Sequence, residues 1–349
     1  MHVPDGFFDA AVSVSAGAVA AAGLAVCLRG ARRELDDRTA PMAGLVAAFI
    51  FAVQMLNFPV AAGTSGHLLG GALAAILVGP YTGVLCMAVV LLVQCVFFAD
   101  GGLTALGINI TIMGIVTVLV GWGVFRLVAR LAKGRGGVTV AAFLAALVSV
   151  PSAALVFSAL FWVGGTAPIE VSAVAAAMGG VHVLIGIGEG VITVLTVGAV
   201  LAVRPDLVYG ARGLSTPLVL RGAEDATAGA TVGTTAGTTV TVGAAEEPVP
   251  AARGPLRAFL LGGLGLTLVL AGIVSFFASS NPDGLEAVAE NHGFLDQATH
   301  HVFGSWALAD YGDVGGIPVG VAGIIGVGLV LLIAGGVAYA ARGRERARV

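Results

Sequence analysis

The chain has 349 residues, of which 58% are hydrophobic and only 11% charged, and its formal net charge is −3. A soluble domain carries about 25% charged residues, so this composition excludes an ordinary soluble protein. Apolar stretches of about 18 residues or more recur along the chain, and each is long enough to cross a bilayer as a helix. The few basic residues lie beside these stretches, where they set membrane topology, which excludes nucleic-acid binding. We therefore predict an all-α polytopic membrane protein.

The first two residues, Met1 and His2, can form a chelate around a metal ion. The α-amino group, the amide nitrogen of residue 2 and the His2 imidazole can close two fused rings on one cation, and His67 could supply a fourth nitrogen. Four nitrogens in a square plane suit Ni(II) or Cu(II), and Co(II) less well. A large second residue should also keep the initiator methionine in place. The alternative is that His2 is a frayed terminal residue without a role.

Nine membrane-spanning helices are predicted from the apolar segments. In chain order they cover residues 9–28, 40–58, 66–80, 81–99, 108–128, 138–163, 171–203, 256–279 and 317–341. The third segment is short, so it is expected to be tilted or partly re-entrant, while the seventh is long for a single crossing. The first segment is not expected to be a cleaved signal peptide, because residues 1–28 contain no Lys or Arg.

The basic residues predict the orientation of the chain in the cell membrane. All seventeen lysines and arginines fall in residues 29–38, 126–136 and 204–257 or after residue 341. The positive-inside rule then places these segments and the C-terminus in the cytoplasm and the N-terminus outside. The outer face would carry acidic residues without basic ones, either because it concentrates cations or simply because basic residues are excluded from it. His2 and His67 would both lie at the outer ends of their helices.

The chain divides into two predicted membrane units joined by a linker. Residues 1–204 form a seven-span unit, and residues 255–349 form a two-span hairpin with an outer loop at 280–316. Between them, residues 205–254 are predicted to be a flexible cytoplasmic linker, because residues 222–254 are small, polar and free of aromatic side chains. Such a linker is expected in a fusion of two once-separate subunits.

Several segments resemble the cobalt/nickel substrate-capture component of energy-coupling-factor (ECF) transporters. They are the N-terminal segment Met1–Phe7, the Ser65-Gly-His67 segment, residues 98–104 with 106–109, and Val181–Glu189. A second group of segments resembles the small PDGLE subunit that often accompanies this component: Asn281–Glu290, Gly293-Phe294 and Ala309–Gly312. The resemblance implies an M-type component fused to an N-type component on one chain.

The resemblance also implies a ligand set and a mechanism. The metal would be held by the Met1 amine, the His2 amide and imidazole, and His67, which agrees with the chelate argued above from coordination chemistry. A Ni(II) or Co(II) ion would be captured outside and released inward as the transported substrate, without an organic cofactor. The chain would be a transport component and not an enzyme. The sequence leaves the choice between nickel and cobalt open.

ATP hydrolysis is expected on other subunits. A P-loop needs the pattern Gly-x-x-x-x-Gly-Lys-Ser/Thr, whereas the single lysine, Lys133, is followed by Gly134. ECF ATPase subunits and a coupling transmembrane subunit are therefore the predicted partners, besides the lipid bilayer and the metal ion. The alternatives are a metal-dependent intramembrane enzyme, which would need a general base near the metal, and a metal-sensing receptor, which would need a signalling domain.

Several other polar residues allow two interpretations. Gln94 and Asn109 are candidates for orienting the ligand imidazoles, or they form ordinary interhelical hydrogen bonds. Glu189 and His182 stand two turns apart on one helix face and permit a polar network in the core. The histidines of the outer loop either pass metal towards the N-terminus or are merely solvated: His292, His300 and His301.

Overall fold

The computed structural model describes residues 1–37, 39–61, 63–132, 134–212 and 255–342. Most of the regular structure in these residues is helical, as predicted, and it also includes one antiparallel hairpin of two strands, β1 (Phe58–Ala61) and β2 (Thr64–Gly66). The α-helices are α1 (Ala10–Gly30), α2 (Thr39–Gln54), α3 (Gly71–Val78), α4 (Pro80–Phe98), α5 (Leu106–Asn109), α6 (Thr117–Leu131), α7 (Gly134–Gly164), α8 (Val171–Val203), α9 (Leu256–Gly272), α10 (Gly284–Asn291) and α11 (Val319–Ala341). A π-helical segment, Ile110–Val116, joins α5 to α6.

Seven helices in the described part of the chain are long and apolar enough to cross a membrane. They cover Ala10–Arg33, Pro80–Phe98, Leu106–Leu131, Gly136–Gly164, Val171–Val203, Leu256–Phe277 and Val319–Ala341. The other two predicted spans, 40–58 and 66–80, contain shorter helices. Helix α2 has 16 residues and helix α3 has 8. At 1.5 Å per residue these helices measure about 24 Å and 12 Å, against a hydrocarbon core of about 30 Å.

The β-hairpin and two glycines shorten these segments. The chain leaves α2 at Gln54 and turns through β1 and β2 before it enters α3. Gly70 precedes α3 with φ +89°, and Gly79 follows it with φ +97°, a backbone region that favours glycine. Residues 67–70 are therefore non-helical chain among helices, and His67 lies in this stretch. Such backbone is tolerated at membrane depth where it is buried in protein or lines a cavity.

Segment 66–80 still connects the two ends of the bundle. His67, before α3, contacts Met1, which defines the Met1 end. After α3, the first residues of α4 meet Glu34, whose carboxylate accepts the backbone N–H groups of Tyr81 and Thr82. Glu34 follows the last turn of α1, at the opposite end. The chain therefore runs from the Met1 end to the Glu34 end with only eight helical residues.

The C-terminal hairpin packs into the bundle. Helices α9 and α11 both lie against α2, and α11 also lies against α4. A Cβ placed on Gly44 would come within 3.0 Å of the Cα of Gly335, so α2 and α11 meet through their backbones, as small residues permit between membrane helices. Near the Met1 end, α10 lies on α8, and Ser65 of β2 donates its backbone N–H to the Pro282 carbonyl at 2.8 Å. The two units are therefore in close contact over the described residues.

The first residues of the predicted linker are folded. Residues 205–212 contain two 3-10 turns, Pro205–Leu207 and Tyr209–Ala211, and Leu207 and Val208 are buried in the main hydrophobic core. The rest of the predicted linker, residues 213–254, lies outside the described residues.

Candidate metal site

The first residues of the chain are folded into the Met1 end of the bundle. Met1 is only 2% exposed and Val3 is fully buried. The Asn109 carboxamide holds both sides of Val3, accepting its N–H at 2.9 Å and donating to its carbonyl at 3.1 Å. Asp5 accepts two backbone N–H groups from residues 103–104. The alternative of a frayed N-terminus is therefore wrong, and Asn109 acts on the backbone beside His2 and not on an imidazole.

The amine of Met1 lies against His67. Its nitrogen is 2.5 Å from Nε2 of His67. The other ring nitrogen, Nδ1, lies 3.0 Å from the carbonyl oxygen of Leu68, which can only accept, so Nδ1 carries the ring proton. Nε2 therefore presents its lone pair to the amine. These two nitrogens form a pair of adjacent donors once the amine has lost its proton.

A carboxylate of the C-terminal unit lies beside both the Met1 amine and His67. Oδ2 of Asp283 lies 2.5 Å from the Met1 nitrogen and 3.6 Å from Nε2 of His67. Oδ1 caps α10 by accepting the N–H groups of Leu285 and Glu286. Burial alone would raise the pKa of Asp283, but the Met1 ammonium and His67 hold that pKa well below its usual range. Asp283 is therefore a negative charge beside the amine at neutral pH.

The His2 ring stacks on the His67 ring, with centroids 5.1 Å apart and planes inclined by 18°. Nδ1 of His2 lies 3.1 Å from Oδ1 of Asp100, and Nε2 lies 3.1 Å from Oε1 of Gln94. Burial lowers the pKa of His2 to about 4, although Asp100 attracts the charged form. The ring is therefore neutral near pH 7 and can serve as a ligand without first losing a proton.

The donor atoms suit a metal site of four nitrogens once the His2 ring has turned. Adjacent donors in a square plane with metal–nitrogen bonds of ~2 Å stand ~2.8 Å apart, close to the 2.5 Å between the Met1 nitrogen and His67 Nε2. Only Nδ1 of His2 can close a chelate ring with the residue-2 amide, and this atom faces Asp100, so the ring must turn to bind. Within the described residues, no three side chains of His, Cys, Asp or Glu converge as ligands. A metal site here therefore depends on the main-chain nitrogens.

A buried carboxylate and a carboxamide hold the peptide that follows His67. Glu189, fully buried on α8, accepts the N–H groups of Leu69 at 2.6 Å and of Gly70 at 3.1 Å. Gln54, at the end of α2, donates to the Leu69 carbonyl at 2.9 Å. Because both sides of the Leu69 residue are held, α2 and α8 together set the position of His67.

The predicted network between Glu189 and His182 is wrong. Glu189 bonds to the main chain of the His67 segment, while Nδ1 of His182 lies 2.8 Å from the Met178 carbonyl. Nε2 of His182 has no hydrogen-bond partner in the part of the chain that the structure describes. The seven-residue spacing placed both side chains on one helix face, but the carboxylate turns to a peptide 120 residues away. Nothing in the sequence near Glu189 signals that partner.

A cavity of about 530 Å³ lies between the two units at the Met1 end. His2 and His67 line it together with Gln54, whose Oε1 has no hydrogen-bond partner among the described residues. Its lining includes four acidic side chains: Asp100, Asp283, Glu286 and Asp310. Of the three loop histidines, His301 alone lines the cavity. No Lys or Arg belongs to this lining over residues 1–212 and 255–342 as far as they are described, so the cavity attracts cations.

Comparisons with known proteins identify the family. A family described as the cobalt uptake substrate-specific transmembrane region matches residues 2–207, more than half of the chain, and the PDGLE domain matches residues 257–343. The chain belongs to this cobalt-uptake family. The predicted resemblance of both units is confirmed, and the chain is a cobalt/nickel transport membrane protein and not an enzyme. The alternative of an intramembrane enzyme is therefore wrong.

The relatives that this chain resembles carry transport names. It is 40% identical over 209 residues to a putative metal transport protein of Haloquadratum walsbyi, over 60% of this chain and 94% of the relative. It is 41% identical over 208 residues to the putative fused nickel transport protein NikMN of Archaeoglobus fulgidus, over 60% of this chain and 68% of the relative. A crystal structure of a truncated transition metal transporter matches with a TM-score of 0.53 and 28% identity, over 58% of this chain and 99% of that chain.

Proposed function

We propose that this chain is the substrate-specific membrane component of an ECF importer and that it captures Ni(II) or Co(II) at the Met1 end. The ligands are the Met1 amine, the amide nitrogen and Nδ1 of His2, and Nε2 of His67. The observation that carries this proposal is the 2.5 Å approach of the Met1 nitrogen to the His67 nitrogen that does not carry the ring proton. Membership of the cobalt-uptake family supports the class of cargo.

Loading exchanges protons for the metal ion. The amine and the residue-2 amide each give up a proton, and the His2 ring turns from Asp100 towards the cation. Because His2 is already neutral, about two protons leave for each ion bound. Asp100 and Asp283 then face the positive charge of the bound ion, and their carboxylates stabilise it in a buried place.

The Met1 end faces the outside in this proposal. The seven long helices together with α2 and α3 make nine passes, seven in the first unit and two in the PDGLE unit. The basic segments of the sequence then lie on the cytoplasmic side. The acidic cavity then opens towards the solution that supplies the metal. Separate ECF ATPase subunits and a coupling transmembrane subunit provide the energy for inward release.

Nickel is the favoured cargo. Four nitrogen donors in one plane suit Ni(II) better than Co(II). Two relatives with both units on one chain, from Archaeoglobus fulgidus and Rhodobacter capsulatus, are named as fused nickel transport proteins. The metal content and the d–d spectrum of the purified protein decide between the two ions, since a planar Ni(II) site and a Co(II) site differ in their absorption bands.

An alanine inserted between Met1 and His2 tests the chelate. The insertion adds a main-chain nitrogen and a third fused ring, which displaces His67 from the plane. Metal uptake by the complete transporter should fall even where the ion still binds to the terminus. Full uptake by the insertion variant would remove Met1 and His2 from the ligand set.

Replacing His67 tests the fourth donor. His67→Ala should lower the affinity for Ni(II) by at least ~10–100-fold in calorimetry, because one of four ligands is lost. The matched control is His300→Ala, since His300 is an exposed histidine that does not line the cavity. An unchanged affinity in the His67 variant would show that this histidine is not a ligand.

A further inference from the structure

Four polar side chains form a closed ring that joins His2 to the PDGLE unit. Nε2 of His2 lies 3.1 Å from Oε1 of Gln94, and Nε2 of Gln94 lies 3.2 Å from the hydroxyl of Tyr311. The Tyr311 hydroxyl lies 2.6 Å from Oδ2 of Asp100, whose Oδ1 returns to Nδ1 of His2 at 3.1 Å. Three members belong to the first unit, and Tyr311 belongs to the second.

The shortest contact fixes the direction of the ring. A carboxylate can only accept, and 2.6 Å is the usual length of a hydroxyl donating to a carboxylate. Burial, and then the charge of Asp100, raises the pKa of Tyr311 well above its usual range, so its hydroxyl keeps the proton that it donates. Tyr311 therefore donates to Asp100.

The direction then passes to His2. The Gln94 carboxamide lies with Nε2, which can only donate, on the Tyr311 hydroxyl, and with Oε1, which can only accept, on His2. The carbonyl oxygen of Gln94 is thereby turned to His2, and Nε2 of His2 must donate to it. A neutral imidazole has one N–H, so Nδ1 is left with its lone pair.

The reverse arrangement would lose the hydrogen bond that Gln94 donates to Tyr311. If Nδ1 of His2 carried the proton and donated to Asp100, Gln94 would turn its NH₂ group to Nε2 of His2 and its oxygen to Tyr311. The Tyr311 proton would remain directed to Asp100, so the oxygens of Gln94 and Tyr311 would stand about 3.2 Å apart without a hydrogen between them.

We propose that Tyr311 of the PDGLE unit is a positioning residue of the metal site: through Gln94 it holds His2 in the tautomer whose Nδ1 is free to chelate. This atom is the one that matters, because Nδ1 closes a six-membered ring with the residue-2 amide nitrogen, whereas Nε2 cannot reach. The inference rests on the proposed function of Met1 and His2 as ligands. It gives the PDGLE unit a chemical task in metal capture.

The backbone and packing of Tyr311 support a fixed position. Tyr311 and Asp310 both have left-handed backbone angles, with φ of 51° and 48°, which residues other than glycine rarely adopt. The Tyr311 ring stacks on Phe98 at the end of α4, with centroids 5.0 Å apart and planes inclined by 23°. A phenylalanine at position 311 keeps this stacking and removes only the hydroxyl.

Tyr311→Phe in the full chain is the first test. Nitrogen NMR of the metal-free protein, labelled in its histidines, reports which His2 nitrogen carries the proton, and His2→Ala assigns the signal. We expect the proton to move from Nε2 to Nδ1, where Asp100 can accept it, and the affinity for Ni(II) to fall ~10–100-fold. The control is Tyr339→Phe, since Tyr339 is 64% exposed near the other end of α11.

Gln94→Glu separates positioning from packing. A carboxylate accepts from Nε2 of His2 in either orientation, so it needs no partner to turn it. Tyr311→Phe should therefore cost much less affinity in the Gln94→Glu background than in the parent. An unchanged His2 tautomer in Tyr311→Phe, or an equal loss of affinity in both backgrounds, would overturn the inference. If the parent itself binds Ni(II) no better than His2→Ala does, the proposed ligand set fails instead.

Discussion

The two histidines of the proposed site are held in different ways. His67 is fixed within the first unit, by the Leu68 carbonyl on its ring and by Glu189 and Gln54 on the peptide that follows. The Met1 amine contacts a side chain of the second unit directly, and the His2 ring is linked to another one through Gln94. Asp283 pairs with the amine, and Tyr311 lies behind Gln94 in the ring around His2.

This difference suggests how the work is divided between the units. The His67 half is built by α2, α3 and α8 of the cobalt-uptake region. The N-terminal half is completed by the chain between α9 and α11, which carries the PDGLE segment. The fused unit is then part of the site, and variants can disturb one half while leaving the other intact.

Removing the PDGLE loop should have the largest effect. We expect a chain in which residues 281–313 are replaced by a Gly/Ser linker to lose metal uptake. The deletion removes Asp283 and Tyr311, and it also removes Phe294, a buried ring that packs on Phe7 and Phe161 with centroids 5.3 Å and 5.2 Å away. Uptake of Ni(II) by cells that carry the complete transporter is the measurement.

As a control for this deletion, membrane fractionation should show that both units are still inserted in the membrane. As a second control, a Gly/Ser linker of the same length replaces residues 222–254, and this variant should keep its uptake. Normal uptake by the loop-deleted chain would show that the PDGLE unit is a passive appendage.

Glu189→Gln should disturb the His67 half alone. Glutamine offers one accepting oxygen, so one of the two N–H groups at Leu69 and Gly70 loses its partner. A buried unsatisfied donor costs about 1–3 kcal/mol, and we expect lower thermal stability together with a Ni(II) affinity reduced about tenfold. The His2 tautomer should stay as in the parent. The matched control is Glu290→Gln on α10, because Glu290 is exposed.

The two readouts keep the roles of Glu189 apart. A loss of stability with unchanged Ni(II) affinity would mean that the carboxylate only anchors α3. A shifted His2 tautomer would mean that the two halves of the site are coupled.

Much of the fold follows from hydrophobicity and charge, since these are local properties. The seven long helices required only apolar length, and the resemblance of both units required only short motifs. The exceptions are the segments 40–58 and 66–80, where hydropathy predicted helices. There the β-hairpin, Gly70 and Gly79 break the helix, and the broken chain is buried against α2 and α8.

The residues of the proposed site likewise divide into those that local chemistry predicts and those that it does not. Coordination chemistry predicts Met1 and His2 as ligands, because chelate rings are set by covalent geometry, and His67 is the predicted fourth nitrogen donor. Gln94 stood out as a polar residue in an apolar span. Its partner Tyr311 could not be predicted, because 217 residues separate the two side chains and no local pattern records a hydrogen bond over that distance.

Asp283→Asn should lower stability by an amount that depends on pH. The folded-state pKa of Asp283 lies well below its usual range, so its pairing with the Met1 ammonium adds stability above the unfolded pKa of ~3.9 and loses it as the pH falls towards the folded value. Asparagine keeps an oxygen for the α10 cap but cannot form the ion pair. We expect the free energy of unfolding of the metal-free parent to exceed that of the variant by about 1.5–3 kcal/mol at pH 6. This difference should shrink below pH 4. Thermal unfolding at several pH values measures it, with Asp296→Asn, an exposed residue, as the control. A difference that stays constant from pH 6 to pH 3 would mean that the carboxylate acts through the helix cap and not through the amine.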